Sequence, residues 1–226
     1  MEFADADQVI TVLDGAVSTR VIRHHDRSFA FEVTLDLVKG AKHFQQKPPM
    51  HFHANQDEYI QAVQGVTGLE IDGKEIELLP GQPEYRIKSW KDHRSYPIDA
   101  DRQKGVTLVK FLLSGAKTPE VYGLDLLFFE NWYRYQEHVV NTGGSFSLIQ
   151  VLSTFDAGGT YLSLPWYIPF GSLVSQSMGI ILGRWFGGAL GYQPFYEQWS
   201  TNWELACEKM KSSFFQRRFA TRAKTS

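Results

Sequence analysis

The segment PPMHFHANQDEYIQAVQG, residues 48–65, contains two histidines, His51 and His53, and an acidic residue, Glu58, five positions after the second. Side chains of a β-strand alternate between its two faces, so both imidazoles would project from the same face. Two imidazoles and a carboxylate from the next strand form a ligand set that suits a divalent transition metal. The segment therefore predicts a metal site, which one further imidazole could complete.

These residues carry a resemblance to the cupin family, whose first motif is H-x-H, four residues, Glu, six residues and Gly. His51, His53, Glu58 and Gly65 match this motif without a gap. The resemblance covers about residues 20–115 and implies a metal held inside a β-barrel. It favours iron or manganese, although imidazole and carboxylate ligands also suit nickel, copper and zinc.

A second cupin motif, broadly Gly and then Pro-x-Gly-x-x-His, supplies the last ligand in that family. Residues 80–97, PGQPEYRIKSWKDHRSYP, occupy its place. His93 falls at the ligand position if Lys88 and Trp90 stand where the family has Pro and Gly. Counted strictly from Gly81, the ligand position falls on Asp92. The resemblance thus implies His93 as the preferred fourth ligand and Asp92 as the alternative.

The elements that must position these residues are short strands. From about residue 20 to 114, runs rich in Val, Ile, Phe and Tyr are separated by Gly, Pro and Asp, a pattern typical of an antiparallel sandwich or barrel. Asp72-Gly73 predicts a tight hairpin. Eight strands are predicted, at residues 29–38, 50–54, 58–65, 68–72, 74–79, 84–89, 94–98 and 106–114.

The composition changes near residue 118. Residues 119–140 and 196–220 have apolar side chains at three- and four-residue spacing, which predicts amphipathic helices. The predicted fold class is mainly β, a cupin-type double-stranded β-helix barrel with a helical C-terminal extension. We expect residues 1–118 to form the barrel with its N-terminal strands. Residues 119–226 would form a mostly helical, apolar extension, packed on the barrel or associated with a membrane.

Residues 157–196 carry one charge, that of Arg184. Small residues recur there at every fourth position, which lets one face of a helix approach another backbone closely. They are Gly171, Ser175, Gly179, Gly183, Gly187 and Gly191. The segment is long enough to cross a bilayer, but Pro165 and Pro169 interrupt its first third. Three interpretations remain: a pair of buried helices, membrane association, or a homodimer interface.

Composition excludes some classes of function. The chain has 226 residues, a formal net charge of -2 and 43% hydrophobic residues, so it should fold and has no overall field to attract nucleic acid. Its single cysteine, Cys207, cannot form an intrachain disulfide. The acidic start MEFADADQVI is unlike a signal peptide. We therefore expect an intracellular, cytoplasmic protein, with membrane association as the alternative.

The resemblance implies a metal-dependent enzyme that acts on a small organic molecule. The chain is also similar to small fungal cupin proteins, some of which are associated with natural-product pathways. Oxygenation by a dioxygenase-like oxidoreductase is the first expectation, and decarboxylation or isomerisation is the second. Arg86, Lys88, Trp90 and Tyr96 are candidates for the pocket wall, and no catalytic residue is assigned. The alternative is a non-catalytic binding protein, membrane-associated through residues 157–196.

Overall fold

The structure is a computed structural model that describes residues 8–98 and 105–221. Most of the acidic start used above to predict the cellular location therefore lies outside the described residues. The chain forms two compact units, Met1–Thr118 and Pro119–Ser226.

The described part of the first unit contains ten β-strands and one turn of 3-10 helix, Leu13–Gly15. The strands are β1 Val9–Val12, β2 Val17–Val21, β3 Arg27–Asp36, β4 His51–His53, β5 Glu58–Gln64, β6 Thr67–Ile71, β7 Lys74–Leu78, β8 Tyr85–Ile87, β9 His93–Pro97 and β10 Leu108–Ala116. Each of the eight strands predicted from the sequence is present, with ends that differ by a few residues.

The strands form two antiparallel sheets. One sheet has the order β1-β2-β3-β10-β5-β8, and in the other the strands of this unit have the order β4-β9-β6-β7. From β3 onwards the chain changes sheet at every connection except the one between β6 and β7. This alternation is that of the jelly roll, an architecture that cupins share. The predicted fold class is confirmed.

The predicted hairpin is also present. Asp72 and Gly73 have φ values of 48° and 75° and connect β6 to β7. Both turn residues thus have the positive φ of a tight hairpin turn, which Asp tolerates and Gly adopts freely. The inner faces of the sheets bury large apolar side chains, among them stacked Phe29 and Phe31, whose ring centroids lie 5.0 Å apart.

The second unit is mostly helical. Its elements are α1 Leu126–Thr142, α2 Leu148–Ala157, β11 Thr160–Leu162, α3 Gly171–Met178, a π-helical segment Gly179–Gly187, α4 Gly188–Leu190, α5 Trp203–Lys211, and turns of 3-10 helix at Glu197–Trp199 and Arg217–Phe219. Cys207 is buried in α5, as its apolar surroundings in the sequence suggest.

The extents predicted for the two amphipathic helices were wrong. The first helix begins at Leu126 rather than at residue 119, because the Asp125 side chain caps it by accepting a hydrogen bond from the amide of Phe128. The second is not one helix over residues 196–220. Asn202 caps α5 by accepting from the amide of Leu205, and 3-10 turns precede and follow α5.

One of the three interpretations of residues 157–196, a pair of buried helices, does not match the structure. A short strand is followed by one continuous helical run from Gly171 to Leu190, whose inner face holds the small residues. A Cβ on Gly183 would lie 2.5 Å from the carbonyl carbon of Leu152 in α2. The close backbone approach inferred from the glycine spacing is therefore present within this unit.

The π-helical segment has a cause in the sequence. Gly179, Gly183 and Gly187 repeat every four residues, a longer period than the 3.6 residues of an α-helical turn. A π-helix, with hydrogen bonds from residue i to i+5, has a wider turn than an α-helix. The wider turn keeps all three glycines on the side that faces α2.

A bilayer crossing, one form of the membrane interpretation, requires a long apolar helix. Within residues 8–98 and 105–221, no helix combines the length and the apolar character that a bilayer crossing requires.

We expect Gly183→Ala to lower the free energy of unfolding by about 1–3 kcal/mol, because the new methyl group meets backbone that cannot move aside. Gly171→Ala is the matched control, since its Cβ would have Leu164 as nearest neighbour at an ordinary 3.6 Å. That change should be neutral or stabilising by up to about 1 kcal/mol. Denaturant unfolding of both variants measures the difference, and equal stabilities would contradict the packing described here.

Candidate metal centre

Strand pairing brings the histidines of the two sequence motifs together. His51 and His53 lie on β4, and His93 is the first residue of the neighbouring strand β9. His51 and His93 are direct cross-strand partners. The three ring centroids form a nearly equilateral triangle with sides of 5.1 Å for His51 to His53, 4.6 Å for His51 to His93 and 5.0 Å for His53 to His93.

Glu58 reaches the same place from the other sheet, as the first residue of β5. Its Oε2 lies 3.0 Å from Nε2 of His93 and 3.7 Å from Nε2 of His53. Glu58, His53 and His93 are buried, and His51 is half-buried. The first unit thus brings together three neighbouring imidazoles and one carboxylate that reaches two of them.

The donor atoms fit a single cation. One ligand atom from each of the three histidines lies within 4.8 Å of the others. Ligands bound to one metal at about 2.0–2.2 Å would be roughly 3 Å from their neighbours. The 3.0 Å separation of Glu58 Oε2 from His93 Nε2 matches that spacing. The three histidines can therefore hold a metal ion, and Glu58 is close enough to join them.

Backbone carbonyls orient two of the imidazoles. Nδ1 of His51 lies 3.1 Å from the carbonyl oxygen of Pro49, and Nδ1 of His93 lies 2.8 Å from that of Lys91. A carbonyl can only accept, so each Nδ1 carries a proton. Nε2 is then the nitrogen that would bind a metal, and at His93 the proton that Nε2 donates to Glu58 would be released on binding. Such outer hydrogen bonds are the usual partners of histidine ligands.

Burial and mutual charge set the protonation of the group. Burial, followed by the neighbouring imidazoles, lowers the pKa of His51 to about 3, and burial also lowers the pKa of His53. Burial alone would raise the pKa of Glu58, but His53 and His93 outweigh it and hold the pKa well below its usual range. Burial opposes a charge on His93 as well, yet Glu58 raises its pKa. Near neutral pH the site thus offers two neutral imidazoles and an ionised carboxylate.

Of the candidate residues named from the sequence, some lie at this site and others do not. Asp92 is not in the group of described donor atoms that meet at this site, whereas His93 is. Among the candidates for the pocket wall, Arg86 pairs with Asp57, Lys88 is exposed, and Tyr96 donates to Glu75.

Trp90 adopts a backbone conformation that is usually found at glycine. It has a φ of 65°, in the left-handed region that non-glycine residues rarely adopt. Its indole ring stacks on Phe52, which lies between the two histidines of β4, with centroids 5.4 Å apart. Its amide donates to the carbonyl of His53 at 2.8 Å. These contacts hold the backbone in the conformation that the cupin glycine would adopt without strain.

Asp57 is a supporting residue that the sequence analysis missed. Its carboxylate accepts from the amide of Ser89 at 2.8 Å and from Nε of Arg86 at 2.7 Å. Because Asp57 precedes Glu58 and Ser89 precedes Trp90, these bonds tie the start of β5 to the loop that leads to His93. An acidic residue before a strand is common, so no signal in one sequence distinguishes this role.

The jelly-roll strand order and the enclosed H-x-H, Glu and His side chains together define the first unit as a cupin. No family model matches the chain. An RmlC-like cupin from Shewanella frigidimarina resembles it with a TM-score of 0.35 and 12% identity, covering 53% of this chain and 91% of that one.

Curated relatives identify the family. The chain is 40% identical over 226 residues to the probable oxidoreductase yanE of Aspergillus niger, covering 97% of this chain and 87% of that protein. It is 37% identical over 171 residues to the epoxidase atD of Aspergillus terreus, covering 76% of this chain and 52% of that protein. The chain belongs to the family of fungal oxidoreductases that includes yanE.

We expect Trp90→Ala to be less stable than Trp90→Gly by about 1–2 kcal/mol in the free energy of unfolding. Both changes remove the stacking on Phe52, but only alanine keeps the strain of a left-handed backbone. Denaturant unfolding of the two variants isolates the backbone contribution. If alanine were as stable as glycine at this position, the left-handed conformation of Trp90 would be refuted.

Proposed function

We propose that the chain is a metal-dependent oxidoreductase that oxygenates a small organic molecule, with His51, His53, Glu58 and His93 as metal ligands. One observation carries this proposal. Three imidazoles and one carboxylate, from two strands of one sheet and one strand of the other, meet in the interior of the jelly roll. A buried cluster of this kind is costly unless its groups are paired or bind a cation.

Each residue has a distinct task in this proposal. His51 and His53 stay neutral and present nitrogen, while the ionised carboxylate of Glu58 offsets part of the charge of a divalent cation. His51 is the partly exposed member, so substrate would approach from its side. A bound divalent metal, with iron or manganese favoured, would polarise a substrate oxygen and, where redox active, supply electrons for chemistry with O₂.

Oxygenation is favoured over decarboxylation and isomerisation by the relatives. The protein yanE is described as a probable oxidoreductase and atD as an epoxidase, and epoxide formation adds an oxygen atom. We propose that the reaction modifies a natural product, such as an oxygenated aromatic compound. The non-catalytic alternative has no comparable support from the relatives.

The four proposed ligands come from residues 51–93 of the first unit. We therefore propose that the metal chemistry belongs to residues 1–118. The mostly helical region, residues 119–226, would then be an extension that contributes no metal ligand.

We expect natively purified protein to contain about one transition metal ion per chain, and the double change His51→Ala plus His53→Ala to reduce this to below about one tenth. Loss of one supporting group outside the ligand set already weakens metal binding by about 10–100-fold, and here two direct ligands are removed. Elemental analysis by mass spectrometry gives the metal content and identity. The matched control is His24→Ala plus His25→Ala, since both side chains are exposed.

The same measurement separates the two candidates for the fourth ligand. His93→Ala should lose metal, and Asp92→Ala should keep it. A wild-type protein without any transition metal, or a His51/His53 double variant that retains it, would refute the metal site. The reverse result for positions 92 and 93 would leave the site in place and change its fourth ligand.

We expect the metal-loaded protein to take up O₂ when it converts a substrate from a panel of phenols and quinols. Neither decarboxylation nor isomerisation consumes O₂, so an oxygen electrode combined with product mass separates the reactions. The His51/His53 double variant is the control for uncatalysed oxidation. Product formation without O₂ uptake would rule out oxygenation and leave the metal site unaffected.

A further inference from the structure

The outer side of the helical run in the second unit is an unusually apolar surface. We define the apolar face by six side chains on this run, each between 38% and 57% exposed: Leu173, Ile181, Leu182, Trp185, Phe186 and Leu190. These positions alternate with the inward-facing small residues at the same four-residue spacing. The π-helical segment therefore aligns the apolar face along the helix as well as the glycines. Exposed apolar side chains clustered on one face of a helix point to a binding site, whereas single exposed ones are normal.

Aromatic side chains extend the face at its N-terminal end. Trp166 is 95% exposed, Tyr167 68% and Phe170 79%, and Phe170 directly precedes the first residue of α3. Aromatic rings of this kind concentrate at the boundary between the apolar and polar layers of a bilayer.

The apolar face carries no charge of its own. No acidic residue occurs between Asp156 and Glu197. The one cation of the segment, Arg184, turns inward: it donates to both carboxylate oxygens of Asp156, at 2.6 and 2.8 Å, and its guanidinium carbon lies 3.7 Å from the ring centroid of Tyr122. The hydroxyl of Ser177 is used within the helix, where it donates to the carbonyl of Leu173.

Basic residues lie at the C-terminal end of the face. Arg218 donates to the carbonyls of Gly188 and Ala189, so its guanidinium group sits at the end of this helical run. The guanidinium of the adjacent Arg217 lies 4.3 Å from the ring centroid of exposed Phe214. Both arginines are exposed. The surface thus combines an uncharged apolar strip with cations at one end.

We propose that the apolar face binds the surface of an anionic lipid bilayer, with the helical run lying in the plane of the interface. A helix in this position inserts its apolar side chains between lipid head groups, while nearby arginines contact anionic head groups. A protein partner would be expected to find about one hydrogen bond per 100–200 Å² of interface, and the apolar face offers it almost no donors or acceptors. Lipid chains require none.

This inference concerns a surface of the second unit and is independent of the proposed metal chemistry. Binding through the apolar face would bring the protein to a membrane and would not require a transmembrane helix. Apolar molecules concentrate in bilayers, so a small lipophilic substrate would be met there at a higher concentration than in water.

The test is co-sedimentation of the full chain with phosphatidylcholine vesicles that contain 30% phosphatidylserine, compared with phosphatidylcholine alone. We expect binding to the mixed vesicles, and at least a tenfold loss in the variant Trp166→Ser plus Phe170→Asn. Asparagine tolerates the left-handed backbone of Phe170, whose φ is 54°, so this variant should fold. The matched control is Val38→Ser, which removes a side chain that is 69% exposed in the first unit.

A second pair of variants tests the cationic end. Arg217→Gln should weaken binding to the mixed vesicles by about fivefold and leave binding to phosphatidylcholine unchanged, as expected for one charge near an anionic surface. Arg23→Gln, an exposed arginine of the first unit, should have no effect. The proposal is wrong if wild-type protein binds neither kind of vesicle, or if the Trp166/Phe170 variant binds as well as wild type. A stable dimer that this variant converts to monomers in sedimentation velocity would also overturn it, because a second copy would then cover the face.

Discussion

The carboxylate of Glu58 is the group on which the interior of the first unit depends. Removing an ionised carboxylate from water costs several kcal/mol, and only close partners can offset that cost. Here the partners are His93, 3.0 Å away, and His53, 3.7 Å away. The pairing of β4 with β9 supplies both imidazoles, and the carbonyls of Pro49 and Lys91 fix the rings of His51 and His93. The fold and the candidate site therefore depend on each other, since the sheets position the imidazoles that offset the cost of burying the Glu58 carboxylate.

The loop before β9 departs from the usual cupin pattern, and the structure accommodates the change locally. Trp90 adopts a left-handed backbone that glycine would adopt more easily, and it is held there by Phe52 and by the carbonyl of His53. Strained residues persist where their surroundings determine the conformation, and they cluster near functional sites. The bonds of Asp57 to Ser89 and Arg86 support the same loop.

In the second unit a single periodic pattern produces two surfaces. The four-residue repeat directs glycines towards α2 and apolar side chains outwards. In an α-helix such a repeat would drift around the axis, and the wider π-helical turn keeps each set of residues on one side. Burial of Asp156 requires a partner, and Arg184 provides one while leaving the outer face uncharged. Close packing on one side of the helix and an uncharged surface on the other thus follow from the same spacing.

The sequence by itself determined the mainly β class, the eight central strands, the hairpin at Asp72-Gly73 and the three residues of the first motif. These depend on short-range properties: alternation along a strand, positive φ in a turn, and fixed spacing between residues on adjacent strands. The glycine spacing likewise indicated a close backbone contact, although it could not identify α2 as the partner. Only the tertiary structure placed His93, and not Asp92, beside His51 and His53, because a one-residue change in a loop alters which side chain faces inward. It also decided where the helices begin and end, which depends on the side-chain caps at Asp125 and Asn202, and which side of residues 171–190 is exposed. Such choices depend on contacts between residues far apart in the chain, and no local pattern records them.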